Sequence, residues 1–156
     1  MAYSVQIGAI RCHILSDGPG IADPGGFFGL IPRVMWERIV TPSPQHLIPV
    51  NYRCLLIESE AGLILVDTGH GDKYDAKWRK ILGISLENRR LLTDMASIGV
   101  NPEEITTVIL THLHGDHAGG GTRWATPDNS PGPVVPTFPN ARYQVQRLDM
   151  ADAAFP

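Results

Sequence analysis

Two apolar segments that end in polar residues constrain the fold of this chain more than any other feature. The run Leu63–Asp67 is typical of a buried strand, and it delivers Asp67 and Thr68 at its carboxyl end, where a turn begins. The run Val108–Thr111 is a second strand of this kind, and it leads directly into His112. If the two strands lie near each other in one sheet, Asp67 arrives beside His112. The pattern therefore predicts a polar site at the ends of two neighbouring strands.

Three of the 6 histidines of the chain follow the second strand within one short stretch. In an extended segment side chains alternate between faces, so His112, His114 and Asp116 project to the same side. A turn into a helix after Asp116 would bring His117 toward a second ion beside the first. Neutral imidazole and carboxylate are ligands that zinc and similar first-row metals prefer. The spacing therefore predicts a metal site, and Gly119–Gly121 permit the bend that follows it.

Each of these residues also has a plainer interpretation. Short motifs arise by accident, and histidine pairs on loops are often only solvated polar residues. Asp67 is either a carboxylate that accepts a ring N–H and fixes the tautomer of a histidine ligand, or a turn residue that caps nearby backbone amides. Three other histidines could in principle be metal ligands, but each has a plainer position. These positions are a strand for His13, a proline-rich loop for His46 and a turn for His70.

The motif and the preceding strand end together resemble those of the metallo-β-lactamase-fold metallohydrolases. The resemblance rests on His112-x-His114-x-Asp116-His117 and on Val66-Asp67-Thr68-Gly69. It implies that His112 and His114 bind one metal ion. Asp116 and His117 would bind the other ion. Asp67 would bind no ion itself and would accept a hydrogen bond from a histidine ligand. The implied cofactor is Zn²⁺, two ions in the complete binuclear site, with manganese or iron as alternatives.

Weaker similarity over most of the chain indicates one branch of this family. The segments Ile48–Asn51 and Phe138–Tyr143, and the helix and turn before Ile105, resemble the branch that includes lactonases and organophosphate hydrolases. Gly115 is a departure, because that branch often has a bulkier residue at this position. The local wall of the substrate pocket is therefore expected to differ.

The resemblance implies an α+β fold that forms the amino-terminal part of an αββα sandwich of the metallo-β-lactamase type. Two zinc ions need about four ligands each, including water, whereas the motif supplies four side chains for both. In the family the remaining protein ligands lie well downstream, and here residues 118–156 contain no histidine. We therefore expect residues 1–156 to be a single metallo-β-lactamase-like domain that is incomplete at its carboxyl end.

The implied reaction is hydrolysis of a small-molecule substrate by the full-length protein. A metal-activated water would attack an ester, lactone, thioester or phosphoester-type bond. Asp116 is the predicted catalytic residue, because it would position that nucleophile as well as bind metal. Two alternatives remain open: an iron-dependent oxidoreductase of the same fold, and a truncated, non-catalytic half that binds metal. A dimer or a complementary carboxyl-terminal segment would be the partner of such a half.

Composition and charge exclude several other classes. The 13 basic and 16 acidic residues give a net charge of -3, with no basic run that would attract nucleic acid. No apolar run approaches the roughly 18 residues needed to span a bilayer, and the first residues lack the features of a secretory signal. We therefore expect a soluble cytoplasmic protein without nucleic-acid or membrane partners. Cys12 and Cys54 form no C-x-x-C pair and are predicted to be free buried thiols.

The remaining segments are predicted from local patterns. A helix from an N-cap at Ser85 through Ile98 places four apolar side chains on one core-facing stripe. The long segment Ile21–Pro49 is rich in proline and aromatic residues, so it is either a flap over a substrate or partner, or ordinary packing over the sheet. Further strands are predicted at Tyr3–Ile7, Ala9–Leu15, Tyr52–Glu58 and Ala141–Gln146, and a turn at Ser16–Gly20 follows the second of them. Prolines at 127, 131, 133, 136 and 139 mark a second loop. The segment Leu148–Ala154 begins either a helix or an irregular segment.

Overall fold

The computed structural model describes residues 2–126 and 130–155, and it has mixed α and β structure, as predicted. The strands are β1 (Tyr3–Ile7), β2 (Ile10–Ala22), β3 (Ile48–Ser59), β4 (Gly62–Val66), β5 (Ile105–Leu110), β6 (Thr122–Trp124), β7 (Val134–Pro136) and β8 (Arg142–Val145). The α-helices are α1 (Gly25–Phe28), α2 (Arg33–Trp36), α3 (Ala76–Leu82), α4 (Leu91–Ser97), α5 (Gly115–Ala118) and α6 (Arg147–Ala154). Short 3-10 helices lie at Leu86–Asn88, Pro102–Glu104 and Gly119–Gly121.

Six strands form one sheet in the order β1-β2-β3-β4-β5-β8, and β6 and β7 form a separate antiparallel pair. Strands β1 to β4 run antiparallel to one another, whereas β5 is parallel to both β4 and β8. The register aligns Val66 with Ile109, so β4 and β5 end at the same edge of the sheet. This arrangement confirms the predicted proximity of the two strand ends.

One face of the sheet packs against helix α4 and forms the core. Leu15, Leu65 and Val108 are completely buried on this face, and so is Met95 of α4. Burial of side chains of this size contributes about 1.5 to 3 kcal/mol each. The core therefore fixes the position of β4 and β5. The predicted core-facing stripe consists of Leu91, Leu92, Met95 and Ile98, and the structure confirms it except at Leu92, which is exposed.

The opposite face carries a second apolar row, which we call the open sheet face: Ile14, Leu55, Val66 and Ile109. These residues are aligned across four neighbouring strands and are only partly buried. Each is next in sequence to a buried core residue, because side chains in a strand alternate between faces. The sheet therefore has one helix-covered face and one open face, as expected for one half of an αββα sandwich.

Strand β2 is longer than predicted. It continues to Ala22 instead of ending at Leu15. A register shift between Ser16 and Gly18 accommodates the turn-like residues, and the segment stays paired with β3. Pairing with a long neighbouring strand thus overrides the local turn pattern.

The helices also differ in part from the prediction. The predicted helix with its N-cap at Ser85 is a 3-10 turn followed by α4, which begins at Leu91. Helix α3 lies in a segment for which we predicted no helix, and its N-cap Asp75 accepts a hydrogen bond from the Trp78 backbone N–H. The long proline-rich segment Ile21–Pro49 contains the four-residue helices α1 and α2. Of the two structures predicted for Leu148–Ala154, a helix or an irregular segment, the structure has the helix, α6.

Cys12 and Cys54 are buried and free, as predicted. Burial raises the pKa of the Cys54 thiol to about 12. Among residues 2–126 and 130–155, no helix has the length and apolar character needed to cross a bilayer. Pro127, in the second predicted loop, lies outside the described residues, and strands β6 and β7 flank that part of the chain.

Candidate metal centre

Asp67 is the first polar residue after β4, and it connects the two strand ends. Its φ of 58° is a left-handed conformation that residues other than glycine rarely adopt. Its N–H donates to the Ile109 carbonyl at 2.9 Å, and its carboxylate accepts from the Thr111 N–H at 2.8 Å. The Thr111 hydroxyl lies 3.0 and 2.9 Å from the two carboxylate oxygens. The carboxylate therefore caps the end of β5, which is the plainer role considered for Asp67.

The same carboxylate also contacts the histidine motif. Nδ1 of His117 lies 2.7 Å from Oδ2 of Asp67, so we assign the ring proton to Nδ1, which donates to the carboxylate. This contact shows that Asp67 accepts from a motif histidine as well as capping β5, and the binding of a metal ion by that histidine stays a prediction. With its proton on Nδ1, the neutral His117 ring keeps a lone pair on Nε2 for an ion. That atom lies 3.5 Å from Oδ2 of Asp116.

The other two motif histidines form a close pair. Nε2 of His112 is 3.0 Å from Nδ1 of His114, and the two ring centroids are 4.6 Å apart. The His112 ring also lies against the His117 ring, at a centroid distance of 3.9 Å. Helix α5 begins at Gly115, so the chain turns before Asp116 rather than after it. The structure thus brings the three histidines together, with Asp116 beside the last of them.

The donors suit a zinc-type ion in kind, and they are arranged in two pairs. Two nitrogens bound to one tetrahedral zinc at about 2.0 to 2.1 Å would lie about 3.3 Å apart. The His112–His114 separation of 3.0 Å is close to that value, and Asp116 and His117 form the other pair. Across residues 2–126 and 130–155, no group of three or more His, Cys, Asp or Glu side chains is arranged to hold an ion. Each pair would therefore need further ligands to complete a site.

The loop after β4 holds helix α5 closely. The backbone N–H and the hydroxyl of Thr68 both donate to the His117 carbonyl, at 2.7 and 2.9 Å. The Gly120 N–H donates to the Gly69 carbonyl at 2.9 Å. A Cβ at Gly120 would overlap the Thr68 carbonyl oxygen. The absence of a side chain is therefore required for this close approach, as predicted for the glycine triplet.

Sequence patterns did not predict the group of rings beside the motif, which we call the aromatic wall: Tyr52, His70 and Tyr74. His70 is only 4% exposed, and its ring centroid lies 4.2 Å from that of Tyr52 and 5.4 Å from that of Tyr74. Among the described residues, neither ring nitrogen of His70 has a hydrogen-bond partner. The one feature of the sequence that could have indicated this position is that His70 directly follows the turn after β4.

Burial controls the protonation of the aromatic wall. Burial lowers the pKa of His70, and the Asp116 carboxylate opposes that shift, so the ring is neutral at pH 7. Burial first, and the Asp116 carboxylate second, raise the pKa of both Tyr52 and Tyr74. Both hydroxyls therefore remain protonated at neutral pH.

The two remaining histidines make contacts of their own. Nδ1 of His13 lies 2.7 Å from the Ser4 hydroxyl, and its Nε2 lies 2.7 Å from the Glu58 carboxylate. Nδ1 of His46 lies 3.0 Å from the Arg33 guanidinium. These contacts agree with the plainer roles predicted for both residues.

Comparison with known proteins identifies the family. The model of the Metallo-beta-lactamase superfamily matches residues 47–136, more than half of the chain. An N-acyl homoserine lactonase of Bacillus cereus is 36% identical over 89 residues, which cover 51% of this chain and 36% of the relative. An N-acyl homoserine lactonase of a Bacillus species is 33% identical over 89 residues, with the same coverage. The matched part of the chain thus spans only 36% of the length of these relatives.

Solved structures share the fold. A probable metal-dependent hydrolase from Staphylococcus aureus has a TM-score of 0.85 at 27% identity, covering 97% of this chain and 52% of that chain. AidC, a dizinc quorum-quenching lactonase in complex with a product, has a TM-score of 0.71 at 22% identity and covers 99% of this chain and 48% of that chain. At 22% identity, the similarity to AidC shows a shared fold alone. Because the family model matches more than half of its length, this chain belongs to the metallo-beta-lactamase superfamily.

Proposed function

We propose that the complete protein is a metal-dependent hydrolase that opens the ester bond of a small lactone. The main support is the convergence of three motif histidines and Asp67 at the ends of two parallel strands, in a chain of this superfamily. The 36% identical relative named N-acyl homoserine lactonase favours a lactone over the thioester and phosphoester-type substrates that the motif leaves open. Residues 1–156 would form one metallo-β-lactamase-like domain and contribute part of the site.

The motif would supply two pairs of metal ligands. His112 and His114 are the proposed ligands of one Zn²⁺ ion, and Asp116 and His117 are those of a second. When bound, zinc supplies Lewis-acid polarisation of the lactone carbonyl and lowers the pKa of water. The further ligands would come from a complementary carboxyl-terminal segment or from a second copy of the chain.

The residues around these ligands orient them and move a proton. Asp67 accepts the Nδ1–H of His117 and fixes the ring so that Nε2 faces Asp116. Thr111 donates its N–H and hydroxyl to Asp67 and so holds the carboxylate in place. Asp116 would take a proton from the attacking water and return it to the ring oxygen as the ester bond breaks, which yields a hydroxy acid.

The test uses the longest natural form of the protein, loaded separately with zinc, manganese and iron. The double variant His112→Ala/His114→Ala is expected to lose stoichiometric metal binding, measured by elemental analysis. Its lactone hydrolysis, followed by pH-stat titration, should fall to background. His46→Asn is the matched control, because it removes a histidine that contacts Arg33, and asparagine tolerates the left-handed backbone at that position.

Each alternative predicts a different result. Unchanged metal content in the double variant would refute the ligand assignment. Hydrolysis of phosphotriesters without hydrolysis of lactones would change the substrate class. Oxygen consumption by the iron-loaded protein without hydrolysis would favour the oxidoreductase, and metal binding without either activity would favour a non-catalytic role.

A further inference from the structure

The aromatic wall contacts the histidine motif at Gly115, where the Tyr74 hydroxyl occupies the space that a side chain would need. We propose that the Tyr74 hydroxyl takes the place of a side chain at position 115 and determines specificity there by hydrogen bonding to the substrate. The proposal rests on the proposed lactone hydrolysis and narrows it. The preferred substrates would be lactones that carry a hydrogen-bonding group next to the ring, such as an acylated amino group, over plain alkyl lactones.

Gly115 is required for space rather than for backbone conformation. Its φ lies outside the left-handed region, so other residues could adopt its backbone. A Cβ at this position would overlap the Tyr74 hydroxyl oxygen and would lie 3.2 Å from Cζ of the same ring. The glycine and the tyrosine therefore form a matched pair, in which one side chain fills the space that the other residue leaves.

Packing fixes the direction of the Tyr74 ring. His70 lies against it edge-on, with an interplanar angle of 76°, and Tyr52 lies against His70 at 81°. His70 is itself anchored, because it is buried and its backbone N–H donates to Asp17 at 2.7 Å. A ring held in this way presents its hydroxyl at one position, which discrimination between substrates requires.

The Tyr74 hydroxyl is available to a substrate. Within residues 2–126 and 130–155 it makes no hydrogen bond, and the side chain is partly exposed. It also lies against Gly115, which directly precedes the proposed catalytic Asp116. A substrate held for attack beside Asp116 would therefore lie within reach of a phenol group that can donate or accept.

The Tyr74 hydroxyl in place of a side chain at position 115 changes which substrates this part of the site recognises. A bulkier apolar side chain at position 115 would offer van der Waals contact without a hydrogen bond. The tyrosine hydroxyl instead adds a hydrogen bond for a substrate that carries a polar group here, whereas a plain alkyl substrate gains nothing from it. One neutral hydrogen bond corresponds to about a 3-fold to 10-fold difference in rate or affinity.

The first experiment compares two lactones of equal ring size, one with an acylamino group and one with an alkyl chain, on the zinc-loaded full-length protein. Tyr74→Phe is expected to lower kcat/KM for the acylamino lactone about 3-fold to 10-fold, mainly through KM, and to leave the alkyl lactone unchanged. Calorimetric affinity for the ring-opened acylamino product should fall by a similar factor. Tyr3→Phe is the matched control, since that tyrosine is 65% exposed on β1.

The second experiment asks whether the two residues share one space. Gly115→Ala alone should displace the hydroxyl and reproduce the loss caused by Tyr74→Phe. When Tyr74→Phe is already present, the overlapping oxygen is gone and a 3.2 Å contact with a ring carbon remains, so Gly115→Ala should add little. Circular dichroism checks folding, and if Gly115→Ala does not fold, the Tyr74→Phe comparison decides alone.

The outcomes separate the inference from the proposed function. A full-length protein that hydrolyses neither lactone would overturn the function, and the inference with it. If both lactones are hydrolysed, an equal effect of Tyr74→Phe on the two, or no effect on either, would overturn the inference and leave the function intact. Losses that multiply in the double variant would also overturn it, because the residues would then act independently.

Discussion

The substitution Asp67→Asn distinguishes metal support from turn capping. The Asp67 carboxylate accepts from the N–H and hydroxyl of Thr111 and from Nδ1 of His117. Asparagine keeps one acceptor oxygen, which can still serve Thr111. Its amide NH₂ then faces His117, and because two donors cannot bond to each other, the imidazole proton is expected to move to Nε2.

The size of the effect follows from this change of tautomer. A proton on Nε2 removes the lone pair that His117 offers to an ion. Loss of a carboxylate that orients a histidine ligand lowers metal affinity about 10-fold to 100-fold, which corresponds to about 1.4 to 2.7 kcal/mol. The free energy of unfolding of the metal-free protein should change less, because the amide oxygen retains the bonds to Thr111.

Zinc affinity of the full-length protein is measured by competition with a chromophoric chelator, and stability by thermal unfolding of the metal-free form. Asp75→Asn is the matched control, because asparagine also caps helices and this residue caps α3. The control should bind zinc like the wild type. If Asp67→Asn binds zinc with unchanged affinity but unfolds at a lower temperature, the reasoning is wrong and the carboxylate only caps β5.

Two further predictions concern packing. Gly120→Ala should destabilise the protein by about 1 to 3 kcal/mol in urea unfolding, because the new Cβ would overlap the Thr68 carbonyl. Gly26→Ala is the control, since a Cβ at that position meets no atom within 4 Å. Equal losses of stability in the two variants would contradict this prediction. The purified 156-residue chain should self-associate through the open sheet face. Leu55→Lys should reduce this in size-exclusion chromatography, whereas Leu30→Lys, at a fully exposed position, should not; a concentration-independent monomer would contradict it.

The sequence was sufficient to predict the strand ends and their meeting point. The runs before Asp67 and His112 are short, apolar and followed by turn residues, and those are properties of a few adjacent positions. The contact between Asp67 and a motif histidine then required only that the two strands be neighbours, which the parallel pairing of β4 and β5 provides. The assignment of individual ligands to ions remains a prediction.

Features that depend on distant partners could not be predicted in this way. The turn-like residues of β2 stay extended because β3 pairs with them, and no local pattern contains that information. The aromatic wall depends on the approach of Tyr74 to Gly115, which lies 41 positions further along the chain. The sequence indicated only that Gly115 departs from the related branch, and the structure supplies the side chain that fills the space.

Backbone contacts around Asp67 explain why metal affinity and folding can be separated at this site. The left-handed conformation of Asp67 costs about 1 to 3 kcal/mol. It is offset by hydrogen bonds to Ile109, Thr111 and His117, each with a net contribution of about 1 kcal/mol, and by the bonds from Thr68 to the His117 carbonyl. These contacts set the positions of the loop and of helix α5 without using the ligand nitrogens and oxygens. Affinity for an ion then depends mainly on the tautomer and orientation of His117, and a change of one atom in Asp67 should alter affinity more than stability.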